Sequence, residues 1–373
     1  MTSAVSADRL FDGEAWLEGH GLLLDGDSIQ TLLPRKDIPG DIPHTDLGDT
    51  CLAPGLIDIQ VNGGGGTMLN NDPSAAGVAC IARAHRQFGT TGLAPTVISD
   101  TPATQRAAAE AVAQARTAGE AGVLALHIEG PYFEPTRRGT HKAEMIRAIS
   151  DDDLAWLCSL QGFPVILTLA PERAAQGQVG ALADAGLLVC AGHTDASYEQ
   201  VQAAISEGLR GFTHLFNAMS PFEVRAPGTV GAALDSDTTW AGIIADGHHV
   251  HPAGIRLAYR AMAPGKLLLV SDAMSTVGGP DSFEIYGEHI AENGGRLVNA
   301  EGNLAGSAIA LFDAVRVAHQ QAGLPLGECL RMASLYPAGF LGMDEHLGRL
   351  QPGYRADLFA FDEHYRVSDT WVA

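Results

Sequence analysis

The stretch Gly122-Val123-Leu124-Ala125-Leu126-His127-Ile128-Glu129-Gly130-Pro131 is an apolar run that delivers an imidazole and a carboxylate into a turn. The same arrangement recurs three times. The run 186–191 leads into Gly192-His193-Thr194-Asp195-Ala196, and Gly211-Phe212 leads into Thr213-His214-Leu215-Phe216-Asn217-Ala218-Met219. Leu268-Leu269-Val270 leads into Ser271-Asp272-Ala273-Met274. Buried strands that end in metal-binding and acid/base side chains suit a β/α barrel, whose strands fill the core and whose chemistry sits at their C-terminal ends.

Working outward, eight short apolar runs fall at 56–61, 92–97, 122–128, 164–170, 186–191, 211–215, 241–245 and 266–270. Most are continuous rather than alternating, as in strands covered on both faces of a parallel sheet. Helical signals separate many of them. Thr101-Pro102 places a capping residue before proline and opens an Ala-rich segment that ends at Gly119. Ser197-Tyr198-Glu199-Gln200 has capping-box spacing and starts a helix ending near Gly208. His251-Pro252 opens a third helix, and a fourth spans 308–321. This alternation predicts an α/β fold, a (β/α)8 TIM barrel over 54–343. No dinucleotide glycine fingerprint follows the first strand, and the glycines at 63–66 lack the Lys-Ser/Thr of a phosphate loop. The segments 16–33 and 347–372 read as short strands and turns. Residues 1–53 and 344–373 are therefore expected to form one small β-sandwich domain built from both chain ends. The segment 275–303 reads as a hairpin excursion after the eighth strand.

With 373 residues, 46% of them hydrophobic, the chain can bury a large core. A net charge of −21 and a pI near 4.9 exclude the basic stripe of a nucleic-acid-binding surface. Cys51, Cys80, Cys158, Cys190 and Cys329 are odd in number and contain no Cys-x-x-Cys pair, which predicts reduced thiols and a cytoplasmic protein. The N-terminal residues lack the basic and apolar regions of a signal peptide, and no apolar run reaches membrane-spanning length.

Glu129, His193 and His214 close the third, fifth and sixth strands, and closure of the barrel brings these ends toward one axis. Three protein ligands with one open position are the catalytic zinc pattern. Any one of them alone is more often an ordinary rim residue; together they favour a metal. Asp272 closes the eighth strand, where a carboxylate can take a proton from an attacking water and deliver it to a leaving amine; the alternative is a helix-capping Asp. His141 lies in the basic loop Arg137-Arg138-Gly139-Thr140-His141-Lys142 and suits an oxyanion contact or, equally, a solvated loop. Arg225, His248, His249 and His251 are candidates for an anionic group on the substrate.

The motifs 127–131, 192–196, 213–219, 242–247 and 304–307, with Pro54-Gly55-Leu56-Ile57-Asp58 and Leu335-Tyr336-Pro337-Ala338, make the chain closely similar to the N-acetylglucosamine-6-phosphate deacetylases of the amidohydrolase superfamily. The likeness covers nearly the whole chain. It implies hydrolysis of N-acetyl-D-glucosamine 6-phosphate to D-glucosamine 6-phosphate and acetate, in amino-sugar metabolism. It implies one divalent ion per subunit, Zn²⁺ first and Fe²⁺ as the alternative, held by Glu129, His193 and His214. It implies Asp272 as base then acid, and His141 on the acetyl carbonyl. Asn217, the backbone of Ala218, Arg225, His249, Leu304 and Gly306 would bind the sugar phosphate. Some phosphate contacts would come from a neighbouring subunit, so a homodimer is expected. Many amidohydrolases carry His-x-His after the first strand and hold two metals. This chain has Gln60-Val61-Asn62, and carboxamides are poor zinc ligands, which matches a single-metal branch; Gln60 is the one extra candidate, through the metal or its water. Two other readings stand beside this one. One is a different amidohydrolase, such as a cyclic amidase; the other is a non-catalytic barrel acting as an interaction protein.

Overall fold

The structure, a computed structural model, describes residues 2–373. All eight expected barrel strands are present. They are β1 (Leu56–Val61), β2 (Thr90–Ile98), β3 (Leu126–Glu129), β4 (Val165–Leu169), β5 (Leu188–Ala191), β6 (Gly211–Phe212), β7 (Trp240–Ile244) and β8 (Leu267–Val270). Neighbours in sequence are neighbours in the sheet and run parallel throughout. The ring closes beyond β8: Ala273 bridges Val61 in parallel, the Asn62 N–H donates to Ala273 O, and the Asp272 N–H donates to Gln60 O. That closure sets Asp272 beside Gln60 and Asn62.

A helix follows each strand: α1 (Ala75–Arg86), α2 (Pro102–Thr117), α3 (Asp151–Cys158), α4 (Gln178–Asp184), α5 (Tyr198–Ser206), α6 (Gly228–Asp235), α7 (Pro252–Ala261) and α8 (Leu311–Gln320), with α9 (Leu326–Met332) and α10 (Leu335–Leu341) after the last. Their starts follow the local chemistry of the sequence. The Thr101 hydroxyl accepts from the Thr104 N–H ahead of Pro102, and Ser197 with Gln200 forms a reciprocal capping box. The strands are apolar on both faces because one face packs into the barrel and the other against these helices. Accordingly Leu167, Val189, Ile243 and Leu269 are fully buried.

The two chain ends meet in a seven-stranded sheet. Thr2–Phe11 pairs with Trp16–Asp25 and with Cys51–Pro54, and the latter pairs with Leu358–Phe361. The first of these strands is missing from the reading above, which starts the strands at residue 16. Its residues alternate weakly and are small, but Val5, Ala7 and Leu10 reach the apolar cluster of this sheet together with Leu22, Leu52 and Leu358. The excursion after β8 is larger than a hairpin. It is a four-stranded antiparallel sheet, Ser282–Ile285, Glu288–Asn293, Arg296–Val298 and Leu304–Ser307, whose Phe283, Ile290 and Leu297 form an apolar cluster with Met68, Ile98 and Met274. Its last strand turns back onto the barrel, where the Ser307 N–H donates to Asp272 O. Among the described residues, no helix is long and apolar enough to cross a membrane.

Candidate functional site

Glu129 ends β3, His193 lies two residues beyond β5, and His214 lies two residues beyond β6. The two histidines have φ of +50° and +39°, as do two further candidates, Ala218 at +50° and Asp272 at +53°. Non-glycine residues rarely occupy this region, and those that do concentrate at functional sites. The turns at the strand ends aim these residues inward.

Glu129 Oε1 stands 3.4 Å from His193 Nε2 and 3.1 Å from His214 Nε2, and the two Nε2 atoms are 3.0 Å apart. Ligand atoms on a tetrahedral zinc with bonds of about 2.0–2.1 Å are themselves about 3.3 Å apart. The three donors therefore fit one small divalent ion. The tautomer of His193 also fits: its Nδ1–H donates to Arg137 O at 2.9 Å, which leaves the Nε2 lone pair facing the cluster. Phe133 stacks on the His193 ring and meets His141 edge-on. Burial works to raise the Glu129 carboxyl, but the two imidazoles overcome it and hold Glu129 well below its ordinary range, so it is ionised.

Asp272 is buried beside this cluster. Its Oδ1 accepts from Asn62 Nδ2 at 2.7 Å and from Gln60 Nε2 at 3.1 Å. The same Gln60 nitrogen donates to Glu129 Oε1 at 3.1 Å. A carboxamide between two carboxylates turns its N–H group to both, so Gln60 meets the site as a donor to the acids. Burial first, and then the nearby Glu129 charge, push Asp272 up to about 6. His141 is also buried. Its Nδ1 accepts from the Ser99 N–H at 3.3 Å, and burial followed by the His193 charge holds it well below its ordinary value. It is a neutral imidazole whose remaining Nε2–H is a donor.

Glu129, His141, His193, His214 and Asp272 line a cavity of about 440 Å³. Asn217, Ala218, His249, Leu304 and Gly306 line it too, as do Asn62, Thr136, Arg137, Met274 and Asn303. Asp246 accepts from His249 Nδ1 at 2.6 Å and fixes that ring. Of the histidine cluster, only His249 lines the cavity. His248 is exposed and accepts from Arg296, and His251 caps α7 through Nδ1. Arg225 is not among the lining residues. It is exposed on the loop after Pro221, beside Phe222 (57% exposed) and Val224 (91% exposed). The arginines at the rim are already committed, Arg137 to Asp195 and Arg138 to Glu301, each at 2.7 Å.

Two features escaped the reading of the sequence. The hydrogen bonds that Asn62 and Gln60 give the two acids are not signalled by the sequence, which offers Gln60 as a contact to the metal or its water and Asn62 as the place of an absent imidazole. His127, two residues before Glu129 and so on the same strand face, is buried in the barrel. Burial, the leading cause, pushes it down to about 4.

A closed parallel barrel with a Glu-His-His cluster and a neighbouring buried acid at the strand ends defines a hydrolase of the metal-dependent barrel class. Comparison with known proteins agrees. The pattern of the "Amidohydrolase family" matches residues 51–372. The chain is 40% identical over 336 residues to an N-acetylgalactosamine-6-phosphate deacetylase of Shewanella sp. (strain ANA-3), covering 89% of this chain and 84% of that protein. It is 32% identical over 360 residues to an N-acetylglucosamine-6-phosphate deacetylase of Haemophilus influenzae, covering 95% and 94%. The crystal structure of N-acetylglucosamine-6-phosphate deacetylase from Pasteurella multocida superposes with a TM-score of 0.96 at 36% identity, covering 100% of this chain and 98% of that one. The chain belongs to the amidohydrolase family.

Proposed function

We propose that the chain is a cytoplasmic deacetylase of N-acetyl-D-glucosamine 6-phosphate, forming D-glucosamine 6-phosphate and acetate in amino-sugar metabolism. The observation that carries this reading is Asp272, pinned by Asn62 and Gln60 one side-chain nitrogen away from Glu129 of the donor cluster. Glu129, His193 and His214 would hold one divalent ion, with Zn²⁺ as the first candidate; when bound, it lowers the pKa of a water and polarises a carbonyl oxygen. Asp272 Oδ2 then takes the proton of the attacking water and returns it to the amine nitrogen as the C–N bond breaks. His141, neutral with a free Nε2–H, donates to the acetyl oxygen as charge develops there. Asn217, Ala218, His249, Leu304 and Gly306 surround the sugar.

The sugar phosphate needs a cation that the cavity of one chain does not supply, since Arg137 and Arg138 are paired. Arg225, exposed beside the apolar Phe222 and Val224, suits a homodimer in which it reaches the neighbouring cavity. We also read residues 1–53 with 344–373 as a unit distinct from the barrel over 54–343; the pairing of Cys51–Pro54 with Leu358–Phe361 supports it.

A second reading is the C4 epimer, N-acetyl-D-galactosamine 6-phosphate, favoured by the 40% identity to the Shewanella enzyme. Acetate release from both phosphorylated epimers, with the unphosphorylated sugars as controls, tests the proposal. The ratio of kcat/KM for the two epimers ranks them. No acetate from either one, in protein carrying its metal, would leave the readings as a different amidohydrolase or a non-catalytic barrel.

A further inference from the structure

A buried polar chain runs across the barrel directly beneath the donor cluster. His127 Nδ1–H donates to Ile59 O on β1 at 3.0 Å, and Thr168 Oγ1–H on β4 donates to His127 Nε2 at 2.7 Å. Thr168 has one hydroxyl proton and spends it there, so the 2.7 Å contact with Thr213 is a donation from Thr213 to Thr168. With a neutral imidazole, every donor and acceptor in the chain has one assigned direction. His127, Thr168 and Thr213 are no more than 5% exposed.

Each member stands next to a donor residue. His127 precedes Glu129 by two residues on one strand face, and Glu129 pairs in register with Thr168. Thr213 immediately precedes His214. The segment leading to His193 is also held: a Cβ on Gly192 would come within 2.7 Å of Thr168 Cγ2 and 3.1 Å of Thr213 Cβ. The chain therefore ties β1, β3, β4 and the end of β6 and abuts the end of β5, so all three donor-bearing strands bear on it.

A polar chain buried in a barrel core is costly unless fully paired. Leucine or valine would fill the same layer without that demand. We infer that His127, Thr168 and Thr213 are positioning residues that set the spacing of Glu129, His193 and His214 and so raise metal affinity. The inference rests on the metal reading above. Outer residues that orient metal ligands are typically worth about 10- to 100-fold in affinity.

The test is Zn²⁺ affinity by competition with a chromophoric chelator, together with the melting temperature of the metal-free protein. Thr168→Val keeps the shape of the side chain but removes the hydroxyl, and Thr168→Ser returns it. The Val variant should lose about tenfold or more in affinity and the Ser variant should recover it. Should Thr168→Val not fold, Thr213→Val carries the same test, since it removes only the last donor. A lowered melting temperature with unchanged Zn²⁺ affinity would show a purely structural chain and overturn the inference. Wild-type protein that binds no Zn²⁺ or other divalent ion would instead overturn the metal reading.

Discussion

Asn62 donates from Nδ2 to Oδ1 of Asp272 across 2.7 Å, and Gln60 adds a second donor to the same oxygen. Both carboxamides stand at the end of β1, on the two positions where the sequence offers Gln and Asn in place of the expected His-x-His. The two side chains supply the hydrogen bonds that hold the Asp272 carboxylate in place. With Oδ1 engaged twice, Oδ2 is the oxygen left for the proton transfer proposed for Asp272. Fixed geometry at the proton-transfer atom matters because misplacement is felt only on the way to the transition state.

The first prediction follows from that bond. Asn62→Ala should lower kcat by about tenfold, near 1.4 kcal/mol, with KM little changed. Asp272→Asn should keep fold and metal and lose several orders of magnitude in kcat. Steady-state kinetics with metal content measured in parallel decides it. An Asp272→Asn variant within about tenfold of wild type would move the base to another residue.

The second concerns stoichiometry. The Glu129, His193 and His214 donors fit one ion, whereas Gln60 and Asn62 spend their N–H groups on carboxylates. Purified, dialysed protein should carry about one divalent ion per chain, and Glu129→Gln should lower that occupancy by removing the charged ligand. Elemental analysis reporting two tightly held ions per chain contradicts the single-ion reading.

The third is a pH effect on stability. Asp58 is fully buried on β1, where its Oδ1 accepts from the backbone N–H groups of Gln60 and Ser271. Burial, the dominant cause, pushes it from 3.8 up to about 7. The folded chain therefore binds this proton more tightly than the unfolded chain. The stabilisation is complete below about pH 4 and is lost as pH rises through about 7. Asp58→Asn, which keeps the acceptor and cannot ionise, should match wild type near pH 4 and exceed it at pH 8 by up to a few kcal/mol, at about 1.4 per pKa unit. Urea melts across this range check it; parallel pH profiles for the two proteins would refute it.

The barrel was legible because its strands are continuous apolar runs broken by capping signals, which depend on local chemistry alone. The strand Thr2–Phe11 was not, because small residues such as Ala4, Ser6 and Ala7 give little periodic contrast and acquire burial only from distant partners at Cys51–Pro54 and Leu358–Phe361. The excursion shows only a hairpin in its sequence for a similar reason: the pairing of Arg296–Val298 with Leu304–Ser307 contains a register shift that no turn motif announces. In the site, residue types with one chemical habit, such as His at strand ends, were visible from their spacing. The donor role of Asn62 depends on the Asn62 to Ala273 closure of the ring, a contact between the first and last strands that no local pattern encodes.

The last prediction asks whether Arg225 acts on its own cavity or on a neighbour's. It lines a separate depression with Asp195, Tyr198 and Glu223, away from Asp272 and His249. Arg225→Ala should weaken the phosphorylated substrate by about 10- to 100-fold, the range for loss of a charged hydrogen bond, and leave the unphosphorylated sugar nearly unaffected. Coexpression with Asp272→Asn then separates the two geometries. If the arginine crosses to the partner, a mixed dimer contains one site with an intact Asp272 from one chain and an intact Arg225 from the other. The mixture should then turn over the phosphorylated sugar faster than either parent variant. If Arg225 serves its own chain, every site in the mixed dimer lacks one of the two residues, and mixing restores nothing.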